Sequence, residues 1–183
     1  MNKVDLRRQA LANIGLISIS DKQQKSLQIE KLLKKHLKHQ SGFWAGFMAL
    51  STEPQINWYE VSETIQWCFP VITGNVLSFK KEVTQFTKHA LGFLEPQDGT
   101  IVSIEKLSGA VIPGVAFDQS GYRLGRGQGF YDQTVKNYKG FLIGVCFETA
   151  FVNSVPIEAH DLKCQMIITE NQSVVIEGVN SWN

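Results

Sequence analysis

Apolar residues fall into two rhythms along this chain of 183 residues. In the first quarter they recur every three or four positions. Ile29, Leu32, Leu33 and Leu37 share one helix face, and Lys22, Lys25, Lys31, Lys34, Lys35 and Lys38 crowd the remaining surface. Ser20 followed by Gln23 reads as a capping box at the start of that helix. Ahead of it, residues 2–13 read as a first helix that sets Lys3 and Arg7 one turn apart on a shared face. Beyond residue 42 the apolar positions gather into short runs, at 43–50, 67–72, 76–79, 101–104, 110–117, 141–147, 166–169 and 174–176, and these predict strands. The runs at 110 and 141 are continuous rather than alternating, as in strands covered on both faces, so the sheet is expected to be mainly parallel with helices on each side. Residues 57–66 and 130–138 supply crossover helices, while 76–79 and 173–176 read as hairpin or edge additions with Asn75 and Asn171 at their turns. The expected fold is α/β: a three-layer sandwich around a mainly parallel, Rossmann-like sheet, with a helical N-terminus and edge hairpin additions. No repeat or linker divides residues 1–183, which read as a single domain.

A net charge of +1 argues against a general binder of polyanions, and the lysines of the second helix read as its solvated face rather than as a nucleic-acid arm. Cys68, Cys146 and Cys164 are odd in number and widely spaced, with no C-x-x-C pair, which points away from a disulfide framework or a zinc site. His36 and His39 have no second cluster of donors and read as surface histidines. No apolar leader or spanning segment is evident, so the expected setting is a reducing cytoplasm, without a membrane.

The densest chemistry lies in Gly121-Tyr-Arg-Leu-Gly-Arg-Gly-Gln-Gly-Phe-Tyr-Asp132, whose first nine residues hold four glycines and two arginines. Glycines let backbone N–H groups wrap a ligand, and guanidinium forks grip phosphate or carboxylate oxygens. A helix starting at Phe130 would add its positive dipole end, completing an anion cradle. Asp132, in that first turn, complements the dipole or ligates magnesium beside bound phosphates. The spacing is neither a Walker loop nor a dinucleotide fingerprint. A buried-strand pattern, Ala110-Val-Ile-Pro-Gly-Val-Ala-Phe-Asp118, runs directly into the cradle, and ligands of α/β folds collect at strand C-terminal ends.

With the strand Val111 to Asp118 followed by Arg123-Leu-Gly-Arg-Gly-Gln-Gly-Phe-Tyr-Asp132, the sequence resembles the 5-formyltetrahydrofolate cyclo-ligase family, also called methenyltetrahydrofolate synthetases. The resemblance extends to Lys3-Val-Asp-Leu-Arg7, Glu53, Gly92-Phe-Leu-Glu-Pro96, Ile143-Gly-Val-Cys-Phe147 and Val155-Pro-Ile-Glu-Ala-His-Asp161. It implies ATP-dependent conversion of 5-formyltetrahydrofolate to 5,10-methenyltetrahydrofolate by a monomer acting on small molecules, with Mg²⁺ required and ATP as co-substrate.

The same resemblance implies roles for individual residues. Lys3, Arg7, Arg123 and Arg126 would hold ATP phosphates, joined by Leu124, Gly125, Gly127, Gln128, Gly129, Phe130 and Tyr131. Arg123 and Arg126 would carry the catalytic charge. Folate would meet Met48 and Glu53 together with Arg126, Gly127, Gln128, Gly129 and Phe130, and Asp132 and Asp161 would hold the metal. Glu53 has no cationic neighbour in sequence and is assigned to the pterin N–H donors. The aromatic residues Phe43, Trp44, Phe47, Trp58 and Trp67 are expected in the core. Gln165 stands where family members often carry an aspartate, and its expected place is in the surroundings of the metal. The reading from a different class is a non-catalytic nucleotide-, folate- or RNA-binding relative. The joint presence of Lys3, Arg7, Glu53, Arg123, Arg126, Asp132 and Asp161 favours the enzyme, and no basic face with interleaved aromatics supports RNA.

Overall fold

The computed structural model describes residues 1–158 and 161–176. Two helices come first, α1 (Lys3–Gly15) and α2 (Ile19–Leu37). There follow β1 (Gly42–Ala45), a single helical turn α3 (Trp58–Val61), β2 (Ile65–Thr73), β3 (Val76–Lys81), β4 (Phe86–Lys88), β5 (Leu94–Pro96) and β6 (Thr100–Val102). The second half holds β7 (Leu107–Pro113), β8 (Ala116–Asp118), β9 (Arg123–Leu124), α4 (Phe130–Thr134), β10 (Phe141–Val145), β11 (Phe151–Val152), β12 (Met166–Ile168) and β13 (Ser173–Val175).

The main sheet has the order β13-β12-β10-β7-β1-β2-β3-β6. Its inner run from β12 to β2 is parallel, and β13, β3 and β6 join antiparallel at the edges. This is the expected mixed α/β sheet, edge additions included. The β2–β3 turn has positive φ at Gly74 (65°), ahead of Asn75, so glycine supplies the left-handed residue of this two-residue hairpin.

The helices are fewer and shorter than the sequence suggests. The segment 57–66 yields one turn, because Ile65 and Trp67 bury while Gln66 is exposed, and that two-residue alternation claims the segment for β2. The segment 130–138 is helical only to Thr134. There Val135 buries and the Tyr138 hydroxyl donates to the Leu107 carbonyl at 2.9 Å, which draws the chain down to the start of β7. The run 43–50 leaves the sheet after Ala45, and the run 110–117 splits at Gly114 into β7 and β8, which belong to different sheets. The cap of α2 is Ser18 rather than Ser20: its Oγ accepts from the Asp21 N–H at 3.0 Å and donates to the Asp21 carboxylate at 2.7 Å.

Ile29, Leu33 and Leu37 are fully buried from α2, while Lys31, Lys34, Lys35 and Lys38 face solvent. Trp44, Trp58 and Trp67 are core residues, with Trp58 and Trp67 rings 4.7 Å apart. Burying such a ring contributes roughly 1.5–3 kcal/mol. A second apolar cluster joins Leu6 and Ala10 of α1 to Val115, Ala116, Leu124 and Val155, docking α1 on the small sheet β11-β8-β9. That docking positions Lys3 and Arg7. No helix among the described residues is long and apolar enough to cross a membrane.

Candidate functional site

Chain order in the main sheet reverses beside β1, since β2 lies on one side of it and β7 on the other. A crevice forms outside the carboxyl ends of strands at such a point. Glu53 follows β1 and Pro113 ends β7, so both stand at that crevice. Leu6 and Ala10 bury one stripe of α1 and leave Lys3 and Arg7 on an adjacent stripe beside the glycine loop. The Arg7 Nε donates to the Gly125 carbonyl at 2.7 Å.

Arg123 lies beneath the loop, only 8% exposed. Its Nε donates to the Pro113 carbonyl at 2.7 Å, its guanidinium stacks 4.9 Å from the Tyr131 ring centroid, and its terminal nitrogen is 3.6 Å from the Asp132 carboxylate. A side chain at Gly125 would meet that guanidinium at 2.9 Å, so glycine leaves the arginine its place. Gly127 and Gly129 have φ of 94° and 73°, a region that disfavours other residues. Among the described residues no acceptor engages the N–H groups of Gly125 to Gly129. With α4 only five residues long, these loop amides, more than the expected helix dipole, supply donors for an anion.

Two cavities meet at the loop. The larger, polar in character, has a volume of about 360 Å³ and is lined by Lys3, Arg7, Leu124, Gly127, Glu158 and Asp161 among others. The other, about 290 Å³, is mainly apolar and is lined by Met48, Glu53, Arg126, Gln128, Phe130 and Tyr131 among others. Arg123, Gly125, Gly129 and Asp132 line both and form the shared wall. The residues anticipated for ATP, folate and metal each line one cavity or the other, but Arg126, Gln128, Phe130 and Tyr131, expected at ATP, line only the apolar one, and Gly127, expected also at folate, lines only the polar one. Missed were Leu50, Leu91 and Phe93, together with Phe47, which buries in the core and still reaches the apolar cavity. Phe93 lies in the Gly92-Phe-Leu-Glu-Pro96 segment that carries part of the resemblance, but no role was drawn from it, and Leu91 and Phe93 arrive on the β4–β5 hairpin from a distant part of the chain.

Glu53 does have a cationic neighbour in space. Its Oε1 is 3.3 Å from Arg126 Nε, its Oε2 accepts from the Leu50 N–H at 3.0 Å, and Arg126 also donates to the Thr52 hydroxyl. Lys3 grips both Asp161 oxygens at 2.8 and 2.7 Å and lies 3.2 Å from Glu158. Burial opposes the charge on Lys3, but these carboxylates outweigh it and raise its pKa above the ordinary lysine value. Burial pushes the Tyr131 phenol well up, so it stays neutral. Asp132 and Asp161 share the polar cavity, yet among the described residues no three His, Cys, Asp or Glu groups converge as a metal cage. Gln165 does not belong to the surroundings of a metal site: its side-chain carbonyl accepts from the Leu142 N–H at 2.7 Å and stitches β10 to the start of β12.

Two cavities share one arginine-glycine loop as a wall, at the switch point of the parallel sheet of an α/β protein. The chain belongs to the 5-formyltetrahydrofolate cyclo-ligase family, whose model matches residues 2–170. A 5-formyltetrahydrofolate cyclo-ligase of Mus musculus is 27% identical over 105 residues, covering 52% of each chain. One from Escherichia coli K12 is 33% identical over 75 residues, 39% of this chain and 41% of that one. The matched stretches thus span about half or less of those curated relatives. The solved structure of Aquifex aeolicus 5,10-methenyltetrahydrofolate synthetase superposes with a TM-score of 0.85 at 27% identity, covering 100% of this chain and 97% of that one. A 5,10-methenyltetrahydrofolate synthetase of Mycoplasma pneumoniae shares the fold, with a TM-score of 0.78 at 19% identity, covering 93% and 99%.

Proposed function

We propose that the protein converts 5-formyltetrahydrofolate and ATP to 5,10-methenyltetrahydrofolate, ADP and phosphate. The observation that carries this reading is the wall shared by the two cavities, because a phosphoryl group must pass from a polar nucleotide site to a substrate oxygen in an adjoining apolar one. In the polar cavity, Lys3, Arg7 and Arg123 take the phosphates with the free N–H groups of the loop, and Leu124, Gly125, Gly127 and Gly129 frame the nucleotide. In the apolar cavity, Glu53 accepts from pterin N–H donors while Met48, Gln128 and Phe130 pack on the ring system. Arg126 lines the apolar cavity, held by Glu53 and Thr52, and would have to turn from them to meet a phosphate.

The formyl oxygen attacks the γ-phosphorus and the bond to ADP breaks. N10 then attacks the activated carbon, the carbon–oxygen bond breaks to release phosphate, and N10 loses its proton. Arg123 and Arg126 neutralise charge developing on the transferring group. The donors present fit Mg²⁺, because Asp132 and Asp161 are hard oxygen ligands on one cavity and this ion takes one or two carboxylates together with substrate phosphates and water. When bound, it would neutralise phosphate charge. The same reading makes the protein a monomer acting on two small molecules in a reducing cytoplasm, in keeping with three buried free thiols and a net charge of +1.

Isothermal titration of each substrate tests this. Folate and the Mg²⁺ complex of a non-hydrolysable ATP analogue are expected to bind together in a ternary complex, each at one site per chain. Mutual exclusion of the two ligands would contradict the shared-wall arrangement.

A further inference from the structure

Asp118 is a carboxylate with 3% exposure and no role in the reaction as described above. Burying a charge is costly unless it is hydrogen-bonded, and its two oxygens are used unequally. Oδ1 accepts from the Ser120 N–H at 2.9 Å and the Tyr122 N–H at 3.0 Å, closing the turn that leads into Arg123. A neutral asparagine would serve that turn as well. Oδ2 instead accepts from the Val155 N–H at 2.8 Å, far away in sequence. Val155 begins the segment that brings Glu158 and Asp161 to Lys3. Tyr122 begins the segment that brings Arg123 and Gly125 to the same cavity.

We infer that Asp118 is a positioning residue for the nucleotide cavity: its second oxygen fixes the carboxylate wall at Glu158 and Asp161 against the arginine-glycine wall. Downstream of Asp161, backbone bonds already tie the two segments, from the Arg123 N–H to the Leu162 carbonyl at 3.2 Å and from the Cys164 N–H to the Gly121 carbonyl at 2.8 Å. Upstream, β11 holds Phe151 and Val152 against β8, and Asp118 extends that hold to Val155. Asp161 is thereby bracketed on both flanks. A neutral residue at 118 would keep the turn and lose the upstream clamp, which explains why a carboxylate stands in this apolar surrounding. The inference rests on the proposed nucleotide site.

Asp118→Asn is the informative variant, since one oxygen remains for Ser120 and Tyr122 while the amide NH₂ then faces the Val155 N–H, donor against donor. Calorimetry is expected to give affinity for the Mg²⁺ complex of a non-hydrolysable ATP analogue weaker by about tenfold, the loss of roughly one charge-assisted hydrogen bond, with folate affinity within twofold. Amide exchange at Val155 should quicken while that at Tyr122 holds. Unchanged nucleotide affinity, or equal loss for both ligands, would overturn the inference. Should the variant fail to fold, exchange in the wild-type protein decides: the nucleotide analogue should slow Val155 and Tyr122 together, and a change at Tyr122 alone would contradict the clamp. A wild-type protein that binds no nucleotide analogue would instead sink the proposed function, a different result from a variant that binds like wild type.

Discussion

Glu53 and Arg126, 73 residues apart in sequence, meet with Oε1 3.3 Å from Nε in the lining of the apolar cavity. The carboxylate is 7% exposed, and its other oxygen accepts from the Leu50 N–H, so it is fixed on both sides. Glu53→Gln keeps the shape and one acceptor but removes the charge. Folate affinity is expected to fall by about ten- to a hundredfold, the worth of one or two hydrogen bonds to a charged group. Nucleotide affinity should stay within about twofold, because Arg126 released from Glu53 remains available to phosphate. Calorimetry with each ligand separately checks this, and parallel losses would move Glu53 out of the folate site.

The polar side of the site was legible because its signals are local. Glycine spacing, two arginines and a following carboxylate sit in one stretch, and Lys3 and Arg7 share a helix face. The apolar side was legible only in part: Met48, Glu53, Arg126, Gln128 and Phe130 were named, but the Gly92-Phe-Leu-Glu-Pro96 segment gave no sign that its hairpin lines the same cavity, and Glu53 gave no hint of Arg126. The fold was read correctly at the level of the parallel sheet, where continuous apolar runs carry the signal. It was overread at the helices, where the alternation of Ile65, Gln66 and Trp67 and the pinned hydroxyl of Tyr138 overrode local preference.

Asp132 lines both cavities and pairs with Arg123 at 3.6 Å. If it served only to complement a helix end, Asp132→Asn would cost about 0.3–1 kcal/mol of stability and leave turnover largely intact. The proposed metal role predicts turnover lower by orders of magnitude with little change in melting temperature, partly recovered by added magnesium. Near wild-type turnover at low magnesium would make Asp132 structural.

Gly125→Ala places a methyl 2.9 Å from the Arg123 guanidinium. Arg123 cannot retreat without giving up the Pro113 carbonyl or the face of Tyr131. Turnover is expected to drop at least tenfold while circular dichroism shows an intact fold. A fully active variant would show that the position of Arg123 is not critical.

Lys3→Gln removes the cation that holds both oxygens of Asp161. The pair is partly exposed, so stability should change by only about 1 kcal/mol or less. The KM for Mg²⁺-ATP is expected to rise severalfold while that for folate holds. A rise in the folate KM alone would contradict the assignment of Lys3 to phosphate.

Burial pushes the Cys68 thiol from 9.0 up to about 12. In that window the unfolded chain has lost a proton that the folded chain retains, so stability falls as pH rises, by up to about 1.4 kcal/mol per pH unit for each such thiol. Cys68→Ala should flatten the decline in denaturant stability between about pH 9 and 10.5. A slope equal to that of the wild type would show that Cys68 does not couple folding to pH.

The most direct test of the central claim is to mix the purified protein with 5-formyltetrahydrofolate and Mg²⁺-ATP and follow the absorbance of the methenyl product. The account predicts that absorbance grows with ADP release in a one-to-one ratio, and that omitting ATP or adding EDTA abolishes both. Product formed at full rate in EDTA, or ligand binding with no product under any of these conditions, would contradict it.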